Sequence, residues 1–148
     1  MKRHDDIHID LSADPRLLSS VRGLVRTYLI NEGFTGERAN EVVLAVDEAC
    51  TNAMRHSYGG NQDGRLRLTV RTNDGAIEFI LRDHGVPVVK EKCERRELTP
   101  VDPGALTPGG LGVQLMYRVF DEVKFSPGRE KGNRVVMRLK RPPKEQPQ

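Results

Sequence analysis

The chain has 148 residues, with 24 Lys and Arg against 21 Asp and Glu for a formal net charge of +3, two Cys and no Trp. That length suits a single domain whose core, poor in aromatics, is built from Val, Leu, Ile and Ala without disulfides or structural metals. The charges are mixed with no long basic stripe, no apolar run approaches membrane-spanning length, and the opening MKRHDDIHID has no signal core, so direct nucleic-acid binding, membrane insertion and secretion are not expected.

Ile7, Ile9 and Leu11 alternate with polar residues and predict a first strand. Asp14-Pro15 then supplies an N-cap and a proline at the first helical position. Leu17, Val21, Leu24, Val25 and Tyr28 follow at helical spacing, and Gly33 ends that helix. Thr35 caps a second helix with Glu37 in its first turn. It is expected to reach about Ser57, to bury Val42, Val46, Ala49 and Ala53, and to break at Gly59-Gly60. Leu66, Leu68 and Val70, an Asn73-Asp74-Gly75 turn, then Ile77, Phe79 and Leu81 predict a hairpin. A proline- and glycine-rich stretch runs from Asp83 to Gly110, longer than a compact domain leaves without purpose. A short helix over 111–119 and a second hairpin (Val123 and Phe125, a turn at Pro127-Gly128, then Val135, Met137 and Leu139) complete the pattern. One domain over 1–141 is expected, with a disordered tail at 142–148. The order predicts an α+β two-layer sandwich: a mixed, mostly antiparallel sheet with helices on one face. Cys50 and Cys93 show no ligand spacing and read as free thiols in a reducing cytoplasm, with Cys50 a small buried side chain.

Three segments carry candidate chemistry. Glu48 and Asn52 lie four residues apart on the second helix and so share a face, with His56 next in the row. A carboxylate and an amide so placed suit a divalent metal and a nucleophile to be deprotonated; an ordinary exposed polar face has the same spacing. Asp83-His84-Gly85 ends an apolar strand, where a carboxylate can accept from an exocyclic amine and Gly85 admits a flat ring; a plain strand-ending turn looks alike. Gly109-Gly110-Leu111-Gly112-Val113 opens the third helix, where free amides and the helix dipole attract anions; a glycine-rich loop end is the competing reading. Neither a P-loop nor a GxGxxG dinucleotide fingerprint is present.

The order of these parts is more specific than any one of them. From about Ile7 to Leu139 the chain resembles the gyrase, histidine kinase and MutL (GHKL) ATPases with the Bergerat fold. Glu48 and Asn52 are similar to their N-box, Asp83 and Gly85 to the first glycine box, and Gly110-Leu111-Gly112 to the second. The string DEACTNAMRHSY over 47–58 is similar to the RsbW-type anti-sigma factor serine/threonine kinases. The resemblance implies ATP and magnesium as cofactors. It implies Glu48 as general base for a serine hydroxyl and Asn52 as magnesium ligand. Asp83 and Gly85 would take adenine. Gly110, Leu111, Gly112 and Val113 would wrap the phosphates under a lid over 86–108. It also implies an anti-anti-sigma (STAS) protein as substrate, a sigma factor as partner and a homodimer. Two departures stand out: Pro87 replaces a glycine of the first glycine box, and Asn133 follows Gly132 where a threonine is common.

Two other functions fit the same parts. One is a non-catalytic, ATP-gated binding module. The other is the catalytic fragment of a histidine sensor kinase, against which no sensor or phosphoacceptor segment is recognised ahead of the domain.

Overall fold

The computed structural model describes residues 5–95, 110–127 and 132–143. Strand β1 (Asp5–Ser12) leads through a 3-10 turn (Pro15–Leu17) into α1 (Leu18–Asn31), and α2 (Gly36–Asn52) follows after a tight corner. A π turn (Ala53–Ser57) extends α2. The hairpin of β2 (Arg65–Thr72) and β3 (Ala76–Asp83) comes next, then a 3-10 turn (Lys90–Cys93). The last elements are α3 (Gly110–Val119), β4 (Glu122–Pro127) and β5 (Asn133–Lys140). Residues 96–108 of the expected lid, the turn at Gly128 and most of the expected tail lie outside the described residues.

Local chemistry accounts for the boundaries. Asp14 accepts from the Arg16 amide at 3.0 Å and Thr35 Oγ1 from the Arg38 amide at 3.2 Å, each satisfying a donor that a helix start leaves open. Gly33 at φ 97° and Gly59 and Gly60 at φ 58° and 84° adopt the left-handed backbone that stops a helix. Asn73 Oδ1 accepts from the amides of Gly75 and Ala76 and closes the hairpin.

The five strands lie in the order β1-β2-β3-β5-β4. The sheet was expected to be mostly antiparallel, and among the described residues every ladder is antiparallel. The crossover through α3 returns the chain in the direction of β3, but β5 inserts between β3 and β4. β3 and β4, which run the same way, therefore do not pair.

Register places Leu68, Leu81 and Val135 in one cross-strand row, and Val70, Phe79 and Met137 in the next. All six are buried, with Val21, Val25 and Leu29 of α1, Val42, Val46 and Ala49 of α2, and Val113, Met116 and Val119 of α3 in the same core. Alternate residues such as Arg67, Arg82 and Arg138 are exposed, so the three helices cover one sheet face. Arg22 pairs with Asp47 at 2.7 Å between α1 and α2, and Arg38 caps the Val119 carbonyl of α3 at 2.6 Å. No helix among the described residues is long and apolar enough to cross a membrane.

Candidate functional site

Glu48 and Asn52 are half-buried beside the apolar stripe of α2, on the side that meets α3. The helix does not continue regularly beyond them. At Ala53 it widens into the π turn, whose i→i+5 bonding shifts every later residue from its α-helical position. His56 lies within that turn and is half-buried. Ser57, 2% exposed, is brought inward and its Oγ donates to Asp83 Oδ2 at 2.9 Å.

Asp83 closes β3 in phase with Ile77, Phe79 and Leu81, so the pleat points it at the helices, and it is 5% exposed. A buried carboxylate requires donors. Besides Ser57, the Gly85 amide reaches Oδ1 at 3.0 Å and Asn133 Nδ2 reaches Oδ1 at 3.1 Å and Oδ2 at 3.4 Å. Glycine is required at 85 because a Cβ there would stand 2.1 Å from the Ser57 carbonyl oxygen. That carbonyl accepts from the Val86 amide at 2.7 Å, and the Tyr58 hydroxyl accepts from the His84 amide at 2.7 Å. The end of β3 is thus clamped to the π turn.

Gly110 and Leu111 open α3, followed by Gly112 and Val113. Gly112 is buried directly against Glu48: a Cβ at 112 would lie 2.4 Å from Glu48 Oε2. The N-terminus of α3, the positive end of its dipole, therefore abuts the carboxylate. Asn52 Oδ1, one turn on from Glu48, is buried and has no hydrogen-bond partner among the described residues. A second clamp lies farther along α3, where Gln114 Nε2 donates to the Glu94 carbonyl at 2.9 Å and the Tyr117 hydroxyl to the Cys93 carbonyl at 2.5 Å. Burial raises the Cys93 thiol and the Tyr117 phenol above their ordinary ranges.

The geometry brings the three sequence segments onto α2 and its extension. Glu48 meets Gly112, Ser57 meets Asp83 and Gly85, and Asn52 lies between. A family model described as a histidine kinase-like ATPase domain matches residues 11–139. The chain belongs to that family. Among its curated relatives is the serine-protein kinase RsbW of Bacillus velezensis, 30% identical over 124 residues that cover 81% of this chain and 77% of the relative. RsbW of Listeria monocytogenes is 30% identical over 126 residues, 82% and 80% of the two chains. The anti-sigma F factor of Bacillus velezensis is 27% identical over 131 residues, 88% and 89%. A crystal structure of the RsbU and RsbW domains of Rv1364c from Mycobacterium tuberculosis superposes with a TM-score of 0.64 at 19% identity, covering 93% of this chain and 33% of that one. The mycobacterial sensor histidine kinase MprB superposes at 0.52 with 16% identity, covering 93% and 100%. At such identities the two structures establish the fold, which is the α+β sandwich expected.

Two residues of this histidine kinase-like ATPase domain at the Asp83 end were named in the sequence for other reasons, Ser57 as the end of the second helix and Asn133 as a departure from a common threonine. Ser57 stands four residues after Ala53, in phase with the buried stripe of Val42, Val46 and Ala49, so its inward position was legible, whereas its bond to Asp83 is a tertiary fact. Asn133 was legible: it stands two residues before Val135, in phase with Met137 and Leu139, and so faces the core side of β5.

Proposed function

We propose that this histidine kinase-like ATPase domain is an ATP- and magnesium-dependent serine protein kinase and anti-sigma factor. Its substrate would be a STAS-type anti-anti-sigma protein, and it would act as a cytoplasmic homodimer that also holds a sigma factor. The observation that carries the reading is the meeting of Glu48 with the glycine-rich start of α3, beside the buried and unpartnered Asn52 Oδ1. The names of its RsbW and anti-sigma F relatives support serine phosphorylation and a sigma factor as partner.

The donor set fits magnesium. Among the described residues no group of three or more His, Cys, Asp or Glu side chains could hold a metal alone. A hard cation that prefers oxygen, retains water and shares phosphate ligands needs no such group, and Asn52 Oδ1 is an oxygen with no hydrogen-bond partner among the described residues. Asn52 would hold the ion, which when bound neutralises charge on the phosphates. The first amides of α3, from Gly110 through Val113, would donate to phosphate oxygens. Glu48 would take the proton of the incoming serine hydroxyl as its oxygen bonds to the γ-phosphorus and the bond to ADP breaks. Asp83 would accept from the adenine amine, with Gly85 leaving room for the ring. Phosphoryl transfer asks for positioning and charge neutralisation, and these residues supply both.

The deciding experiment incubates the protein with labelled ATP, magnesium and the STAS-domain protein encoded nearest to it. Phosphoserine on that partner is the expected result. Tight ATP binding without transfer to any STAS protein would shift the reading to an ATP-gated binding module.

A further inference from the structure

Asn133 stands directly opposite Asp83 in the β3–β5 ladder. Gly132 before it has φ 90°, and a Cβ there would lie 2.1 Å from the Asp83 carbonyl oxygen. This backbone approach brings the Asn133 side chain over the carboxylate. Its Nδ2 is within reach of Asp83 Oδ1 and Oδ2, of Ser57 Oγ at 2.9 Å and of the Val86 carbonyl at 2.9 Å. Its Oδ1 accepts from the Val88 amide at 2.7 Å. An amide nitrogen carries two hydrogens, and here four acceptors surround it. Both Nδ2 hydrogens thus have acceptors within the protein, and Oδ1 is already engaged by the Val88 amide. Asn133 therefore acts through its neighbours.

Ser57 completes the arrangement. Its hydroxyl donates to Asp83 Oδ2 and accepts from Asn133 Nδ2, so one buried hydroxyl links the π turn to both strands. Each Asp83 oxygen is held by at least one donor from a different element, and the carboxylate plane is fixed.

We propose that Asn133 and Ser57 are a positioning pair that sets the base preference of the site, by fixing the Asp83 carboxylate and anchoring it to segment 86–88. The proposal rests on Asp83 as the adenine acceptor. A carboxylate accepts and does not donate. Held in one orientation it rewards the 6-amino group of adenine and faces the 6-oxo group of guanine acceptor to acceptor. A carboxylate free to rotate loses that contrast, because it can turn away and admit water. Asn133 also bonds backbone at 86 and 88, so the segment leaving the site shares the anchor of the base acceptor.

The test measures, by calorimetry with magnesium, the affinities of ATP, GTP and purine riboside triphosphate, which lacks the exocyclic amine. Wild type, Asn133→Ala and Ser57→Ala are compared, with amide exchange at Val88 read without nucleotide. Wild type is expected to prefer ATP over the amine-free analogue by about tenfold to a hundredfold. In Asn133→Ala that preference should shrink to about threefold or less while affinity for the analogue stays within about twofold, and Val88 exchange should rise. Ser57→Ala removes a single oxygen and decides the matter if the other variant does not fold. Full ATP preference in both variants overturns the proposal, as does an equal loss for all three nucleotides. Unchanged Val88 exchange in folded Asn133→Ala overturns the anchoring of 86–88. A wild type that binds all three equally, or none, overturns the adenine reading itself and this proposal with it.

Discussion

Glu48 occupies the space that a side chain at position 112 would need: a Cβ on Gly112 would stand 2.4 Å from Oε2 and 3.2 Å from Cδ. The carboxylate is the end of a flexible side chain and can swing away, whereas its working position cannot be kept. Gly112→Ala is therefore expected to leave thermal stability unchanged or raised, since alanine is favoured in a helix by about 1 kcal/mol. Phosphoryl transfer should fall by on the order of 10² from misplacement of Glu48. Gly85→Ala is the contrast. Its Cβ meets backbone, the Ser57 carbonyl, and should lower stability by about 1–3 kcal/mol. Thermal unfolding and a transfer assay on both variants check this, and a fully active Gly112→Ala would refute the placement of Glu48.

Glu48 and Asn52 share a helix face but are assigned different work. Glu48→Gln keeps the shape and removes the base, so ATP affinity should survive while transfer drops by on the order of 10²–10⁴. Asn52→Ala removes the buried oxygen proposed for magnesium and should weaken magnesium-dependent ATP binding as well as transfer. Paired measurements of nucleotide affinity and serine phosphorylation separate the two. Normal phosphorylation by Glu48→Gln would eliminate the general-base role.

Asp83→Asn exchanges a carboxylate acceptor for a weaker amide. Loss of a charge-assisted hydrogen bond corresponds to ~1.5–3 kcal/mol, or roughly tenfold to a hundredfold in ATP affinity. The amide also brings hydrogens toward Ser57 Oγ, Asn133 Nδ2 and the Gly85 amide, which all approach this side chain now. Stability should therefore fall together with affinity. Calorimetry showing unchanged affinity would remove Asp83 from the adenine site.

Cys50, between Glu48 and Asn52 in sequence, faces the core with none of its surface exposed. Burial, and secondarily the charge of Asp47, raises its thiol from 9.0 to about 12. Below pH 9 the thiol is neutral folded and unfolded, and its contribution to stability is complete. Between about pH 9 and pH 12 only the unfolded thiol ionises, so stability declines through that window. Cys50→Ala should show a shallower alkaline decline than wild type in denaturant titrations at neutral and alkaline pH. The native thiol should resist alkylation until the protein unfolds. Identical alkaline slopes, or rapid native labelling of Cys50, would contradict this.

Most of the architecture was legible because it rests on period and punctuation. Alternation in Ile77, Phe79 and Leu81, helical spacing in Val42, Val46 and Ala49, and the caps at Asp14 and Thr35 each reflect one local force and reappear in place. The pairing of strands was less accessible. Nothing local to β4 or β5 states that β5 inserts beside β3, so the mostly antiparallel character was expected but the strand order was not. At the site, Glu48 with Asn52 and Asp83 with Gly85 were found from spacing and motif order, and the closeness of Gly112 to Glu48 is a tertiary fact. Ser57 continues the apolar stripe of α2 four residues beyond Ala53, but its partner Asp83 comes from the end of β3, 26 residues on. The inward phase of Asn133 was in the sequence, but the partners of its amide come from three separate places, Ser57, Asp83 and the segment 86–88.

The strand order also bears on how the protein is made. β3 borders β2 on one side and waits for β5 on the other, a partner about fifty residues downstream. A nascent chain that has not yet delivered β5 presents Ile77 through Leu81 along an unpaired sheet edge, a sticky surface for other chains. The strand that covers this edge begins with Asn133 against Asp83. Sealing the edge and completing the Asp83 pocket are thus one folding event, and a C-terminal truncation before Asn133 should produce aggregates that ATP cannot rescue, since ATP has no finished site to bind.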